Sequence, residues 1–234
     1  KKVLHDEVPS VTTILSAKRK GIAFDMWLGN QPSYKAAIRY RNRRAEIGLA
    51  VHKTIAKILK GAKKVRAPKG QKLLIKNFLA FASAYHPVAD PKNIEKIVYN
   101  PKEGYAGTLD FYGTTGGPGL IAPIRRVLID WKTTKSKHPD DHRPQIAAYY
   151  DALSRPNIDE LWIVYLLRRE KFNPSQILKI NLAEARHDAW AFSQIFGVWK
   201  YTHPKRVKVR DTMRKGKPVH ISEIIRKLTA TKGK

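Results

Sequence analysis

An unbroken run of seven apolar residues, Leu161-Trp-Ile-Val-Tyr-Leu-Leu167, lies between Asp159-Glu160 and Arg168-Arg169-Glu170. A strand with one wet face alternates apolar and polar residues; a continuous apolar run marks a strand buried on both faces. Such a strand needs a layer of helices on each side, so the chain reads as α/β with a central mixed sheet flanked by helices. The remaining patterns supply the layers. Val11–Leu15 reads as a short helix capped by Ser10. Helical periodicity recurs over Tyr34–Leu59, as more than one helix, and over Gln71–Tyr85. Ile94–Tyr99, Tyr105–Tyr112 and Arg126–Trp131 read as an antiparallel meander, the last two separated by a turn-rich loop, Gly113–Gly119. Gln145–Leu153 is a helix, Ile177–Leu182 a strand and Ala183 to about Tyr201 a helix. Lys205–Gly216 is a charged loop or hairpin. The 234 residues form a single domain. Residues 1–90 are mainly helical and suited to an arch or lid, 91–182 carry the sheet, and 183–234 hold a helix and a basic segment.

Charge narrows the partner. Forty-six Lys and Arg against nineteen Asp and Glu leave a formal charge of +27. A compact domain suffers self-repulsion at such an excess, which points to a polyanionic partner, with a solvated cationic surface and no partner as the alternative. There is no cysteine, which excludes disulfides, thiolate nucleophiles and Cys-ligated zinc or iron–sulfur clusters. Any metal must sit on carboxylates, imidazole, carbonyls or water. No apolar run approaches the roughly 20 residues that span a bilayer, and Lys1–Ser16 lacks a signal-peptide pattern. The expectation is an intracellular protein.

Chemistry concentrates in Val127-Leu-Ile-Asp-Trp-Lys132. Residues i and i+2 of a strand share a face, so Asp130 and Lys132 project together and Trp131 points away. A carboxylate binds a hard cation; an ammonium orients water or neutralises charge on phosphate. An ordinary ion pair at a strand end fits the same residues. Asp110 closes Gly107-Thr-Leu-Asp110 on the preceding strand, where hairpin pairing sets it beside Asp130; a strand-end cap is its structural alternative. His52 follows Gly48 by one helical turn, on a face where the missing side chain allows close approach to the sheet; a histidine so placed also serves as plain core or surface. Gln145 and Tyr149 share a helix face after Pro144, within reach of water or phosphate, or with Tyr149 as core.

Taken in order, Gly48…His52, Gly107-Thr-Leu-Asp110, Asp130-Trp-Lys132 and Gln145-Ile-Ala-Ala-Tyr149 resemble the PD-(D/E)XK nuclease superfamily, in its RecB-like branch. Pro9-Ser-Val-Thr12 and Ile129-Asp-Trp-Lys-Thr-Thr-Lys135 are similar to the mitochondrial genome maintenance exonuclease group and its phage-type relatives. The likeness spans Val8 to Leu153. It implies a restriction-endonuclease-like core in which Asp110, Asp130, His52 and the carbonyl of Trp131 hold Mg²⁺ or Mn²⁺. Lys132 would position the attacking water, and Gln145 and Tyr149 would brace the site and the substrate phosphate. Glu95, one strand earlier, matches an acidic position behind the ligands. Relatives with a four-cysteine iron–sulfur cluster are a branch this chain departs from.

The resulting expectation is a monomeric, metal-dependent DNA exonuclease acting on single-stranded ends or flaps in replication, repair or recombination. Trp27, Tyr34 and Tyr40 lie near the first basic cluster and Trp199 and Tyr201 near the second, placed for stacking on unpaired bases; core packing is the alternative role for each. A structure-specific endonuclease or junction resolvase would use the same core, and a basic binding protein would keep the acids as structure. Phage DNA in a host cytoplasm and organelle DNA, after removal of a leader before Lys1, are both compatible settings.

Overall fold

The structure is a computed structural model that describes residues 8–18, 21–116 and 123–204; the expected basic loop at 205–216 lies outside them. Helices α1 (Val11–Leu15), α2 (Ile22–Gly29), α3 (Tyr34–Leu59) and α4 (Lys72–Tyr85) precede strands β1 (Ile94–Asn100), β2 (Tyr105–Thr115) and β3 (Arg125–Lys132). Helix α5 (Pro139–Ala152), β4 (Glu160–Tyr165), β5 (Ile177–Ile180) and α6 (Leu182–Thr202) follow. The sheet runs β1-β2-β3-β4-β5. β1, β2 and β3 form the antiparallel meander, β3 pairs in parallel with β4, and β5 is antiparallel to β4.

β4 is buried on both faces. Leu161, Ile163 and Tyr165 face a core built with α1, α5 and α6, through Val11, Ile146, Tyr150, Phe192 and Trp199, so that Trp199 is core and not a surface for bases. Trp162, Val164 and Leu166 face the other core, where Val51 and Ile55 of α3 and Phe78 and Phe81 of α4 pack on Val127, Ile129 and Trp131. Three rings, Phe78, Phe81 and Phe111, meet Trp131 edge-on, the geometry favoured by aromatic quadrupoles. The tryptophan is thus an anchor that fixes β3 against the helical layer.

Several boundaries differ from the sequence reading. Tyr34–Leu59 is one helix of 26 residues, not several; Ser33 accepts from the Ala36 N–H at its start, no proline interrupts it, and Gly48 is tolerated. Helix α5 begins at Pro139, ahead of Gln145, and contains Pro144. A proline there leaves the carbonyl of residue 140 without its helical donor, and Lys18 Nζ donates to that Asp140 oxygen at 3.0 Å. β2 continues through Gly113 to Thr115, so the turn-rich loop starts later; Val88 bridges to Thr114 across the strand. Helix α2 is an element that periodicity does not single out. Among the described residues no helix is long and apolar enough to cross a membrane.

Candidate metal centre

The site forms where the sheet opens around Asp110. The β2–β3 ladder ends at Phe111↔Ile129. Beyond it the Trp131 backbone N–H donates at 2.8 Å to Asp110 Oδ2 rather than to a carbonyl. On the other side β1 and β2 pair at Ile94↔Phe111 and again at Lys96↔Leu109, and the residue between, Glu95, has φ +55°. A left-handed conformation is costly for a residue with a side chain. Here it accompanies a carboxylate turned toward Asp110.

Helix α3 brings the imidazole. A Cβ on Gly48 would lie 3.3 Å from Thr133 Oγ1, so the helix passes close to the end of β3. One turn later His52 Nδ1 is 3.1 Å from Asp110 Oδ1. Candidate ligand atoms of His52, Glu95 and Asp110 all lie within 4.8 Å of one another. Glu95 therefore stands beside His52 and Asp110 as a third candidate ligand.

Asp130 and Lys132 share a face, as strand alternation requires, with Lys132 Nζ 2.7 Å from Asp130 Oδ2. At that distance the ammonium acts on the buried carboxylate through both charge and hydrogen bond. The ammonium also donates to Gln145 Oε1 at 2.9 Å, and Gln145 Nε2 donates to the Tyr149 hydroxyl at 2.9 Å. Tyr149 in turn packs on Gly107, whose missing side chain makes room for the ring. The side chains singled out in the sequence thus fall into two bonded groups, His52 with Asp110 and Asp130 with Lys132, Gln145 and Tyr149, which interact through the charges of the two aspartates; Asp130 is not among the residues whose ligand atoms lie within 4.8 Å of one another. Of Trp131, the backbone N–H is placed on Asp110 and the indole is turned into the opposite core.

The electrostatics follow from burial. Burial pushes Asp130 up to about 6, with the Asp110 charge adding to the effect and Lys132 opposing it. For Asp110, burial is outweighed by the charge and hydrogen bond of His52, by Lys132 and by the Trp131 N–H, so its carboxyl titrates below the usual range. Burial alone would depress His52, but Asp110, through charge and hydrogen bond, and Asp130 raise it to about 9. Two buried carboxylates, an adjacent third and an imidazole make a hard oxygen-rich donor set suited to Mg²⁺ or Mn²⁺. The residues fit a divalent cation.

Arg44, expected only as one member of the first basic cluster, and Arg168, which the sequence does not single out, lie near the end of β3. Their signal is spatial: Arg168 Nε donates to the Thr133 carbonyl at 3.0 Å, from 35 residues away. On the other side of Lys132 a cleft of about 280 Å³ opens between α1 and α5, lined by Thr12, Ser16, Lys18, His142 and Gln145 among others.

No protein-family model matches the chain, and no curated protein matches it.

Proposed function

We propose that the chain is a metal-dependent deoxyribonuclease of the PD-(D/E)XK type, an exonuclease that hydrolyses phosphodiester bonds at single-stranded ends or flaps. The observation that carries the reading is that α3, β2 and β3 set His52 and the Trp131 N–H on Asp110 and Lys132 on Asp130, with the two buried carboxylates close enough for their charges to interact. The charge of +27 supplies affinity for a polyanion.

His52, Asp110, Asp130 and Glu95 would hold Mg²⁺ or Mn²⁺, with the Trp131 carbonyl as the further ligand that the resemblance implies. Bound there, the cation lowers the pKa of a water and stabilises charge on phosphate oxygens. Lys132, fixed between Asp130 and Gln145, presents its ammonium to the attacking water and to the charge that grows on the phosphate. Gln145 and Tyr149 restrain that ammonium, so little reorganisation is needed when charge develops. Water oxygen bonds to phosphorus, the P–O3′ bond breaks, and a 3′-hydroxyl and a 5′-phosphate result.

The test is incubation of end-labelled linear and circular single-stranded DNA with Mg²⁺ or Mn²⁺, beside Asp130→Asn. Shortening of the linear strand alone, abolished in Asp130→Asn, supports the exonuclease. Cleavage of the circle makes it an endonuclease, and binding without cleavage leaves the acids structural.

A further inference from the structure

A second cationic feature lies just past Lys132. The loop after β4 is pinned by the buried Asn77 side chain, which donates to the carbonyls of Leu167 and Glu170 and accepts from the Phe172 N–H. The loop therefore holds Arg168 in place, and Arg168 Nε reaches the Thr133 carbonyl. From the opposite side, Arg44 sits one turn before Gly48, on the helix face that passes over Thr133. Its guanidinium lies 4.9 Å over the Tyr40 ring. Among the described residues neither guanidinium has a carboxylate within ion-pair distance. Burial and the charge of Arg44 hold Arg168 below the usual arginine range, as expected of like charges brought together without an anion.

We propose that Arg44 and Arg168 form a clamp for a nucleic-acid phosphate neighbouring the one that is cleaved, setting the register of the strand on the metal centre. A guanidinium offers a planar fork that matches phosphate oxygens, and two of them can share one group. Arg44 is eight residues before His52, about 12 Å along the helix axis, which puts the clamp outside the reacting centre. This assignment rests on the nuclease reading for the word "cleaved" but not for binding.

The experiment is fluorescence anisotropy of a labelled single-stranded oligodeoxynucleotide in EDTA, over a salt series, with wild type, Arg44→Ala, Arg168→Ala, Arg168→Lys and the double alanine variant. Each alanine variant is expected to weaken binding about tenfold and to lower the slope of log K against log salt by about 0.7 or less. The double variant should lose less than the product of the two, because both hold one phosphate. Arg168→Lys keeps a donor for Thr133 and tests folding: matched melting temperatures with weakened binding support the clamp. In cleavage, KM should rise and kcat should fall, because a strand out of register presents its scissile bond off the metal centre. Unchanged affinity and salt slope in folded alanine variants overturn the clamp, whatever cleavage shows. Weakened binding in a protein that cuts no DNA with Mg²⁺ or Mn²⁺ overturns the nuclease reading and leaves the clamp standing.

Discussion

The ring of Tyr149 occupies the space that a side chain on Gly107 would need: a Cβ there would lie 2.5 Å from Tyr149 Cε1 and 3.3 Å from Val11 Cγ2. Real Cβ contacts are not that short, so Gly107→Ala must move the ring. The ring's hydroxyl is bonded to Gln145, and Gln145 to Lys132, so displacement reaches the ammonium. Overpacking of this kind costs about 1–3 kcal/mol. We expect Gly107→Ala to lower stability by that amount in denaturant titrations and to depress cleavage further than stability explains. Adding Tyr149→Leu should restore stability but not cleavage. Full cleavage in Gly107→Ala would remove the proposed link between ring and lysine.

In the proposed mechanism Lys132 would separate holding the cation from using it. It contacts Asp130 but offers no lone pair while protonated, so Lys132→Ala should leave Mn²⁺ binding measurable by calorimetry. Single-turnover cleavage should fall by about 10²–10³-fold, the scale of losing one donor to developing charge. Leaving Asp130 buried without its cation also destabilises the fold, so rates are compared below the variant's melting temperature. Cleavage at the wild-type rate would deny the lysine its role.

How far the sequence could be read depended on whether a residue's partners are near in the chain. Leu161–Leu167 announces burial on both faces by its own composition, and both cores confirm it. Asp130 and Lys132 need only the period of a strand to be placed together. Pro144 signalled a helix start at the wrong place because the group that compensates it, Lys18, is more than a hundred residues away. The same holds for Arg168, whose partners are Asn77's loop contacts and the Thr133 carbonyl. Glu95 was visible as an acid on a strand, but its left-handed backbone is imposed by the opened sheet at Asp110 and by no local pattern.

That strained backbone gives Glu95 two separable effects. Glu95→Gln keeps φ near +55° and removes the charge; Glu95→Gly removes the charge and accepts that φ without steric cost. Relief of about 1–2 kcal/mol, partly offset by glycine's entropy in the unfolded chain, should make Glu95→Gly more stable than Glu95→Gln, by up to about 1 kcal/mol. A difference of that size moves the melting temperature by about 2–4 °C. Both variants should bind Mn²⁺ more weakly than the wild type in calorimetry. Undiminished Mn²⁺ affinity in both would place Glu95 outside the centre.

His142, on the cleft side of Gln145, makes acid a distinct stress. Its Nδ1 is 3.2 Å from the Tyr165 hydroxyl. Burial, with the charges of Lys132, His138 and Lys18 adding and Asp141 opposing, pulls it from 6.5 down to about 3. Below pH 6.5 the unfolded chain takes up a proton at this position while the folded chain does not until about pH 3. The unfolded state then binds more protons, so stability falls as pH drops through this window and is fully present above it. In metal-free buffer, His142→Gln should flatten the pH dependence of the urea midpoint between pH 6.5 and 4, while retaining an acceptor for Tyr165. Parallel midpoint curves for the two proteins across that range would mean that His142 takes its proton in the fold as readily as in the unfolded chain.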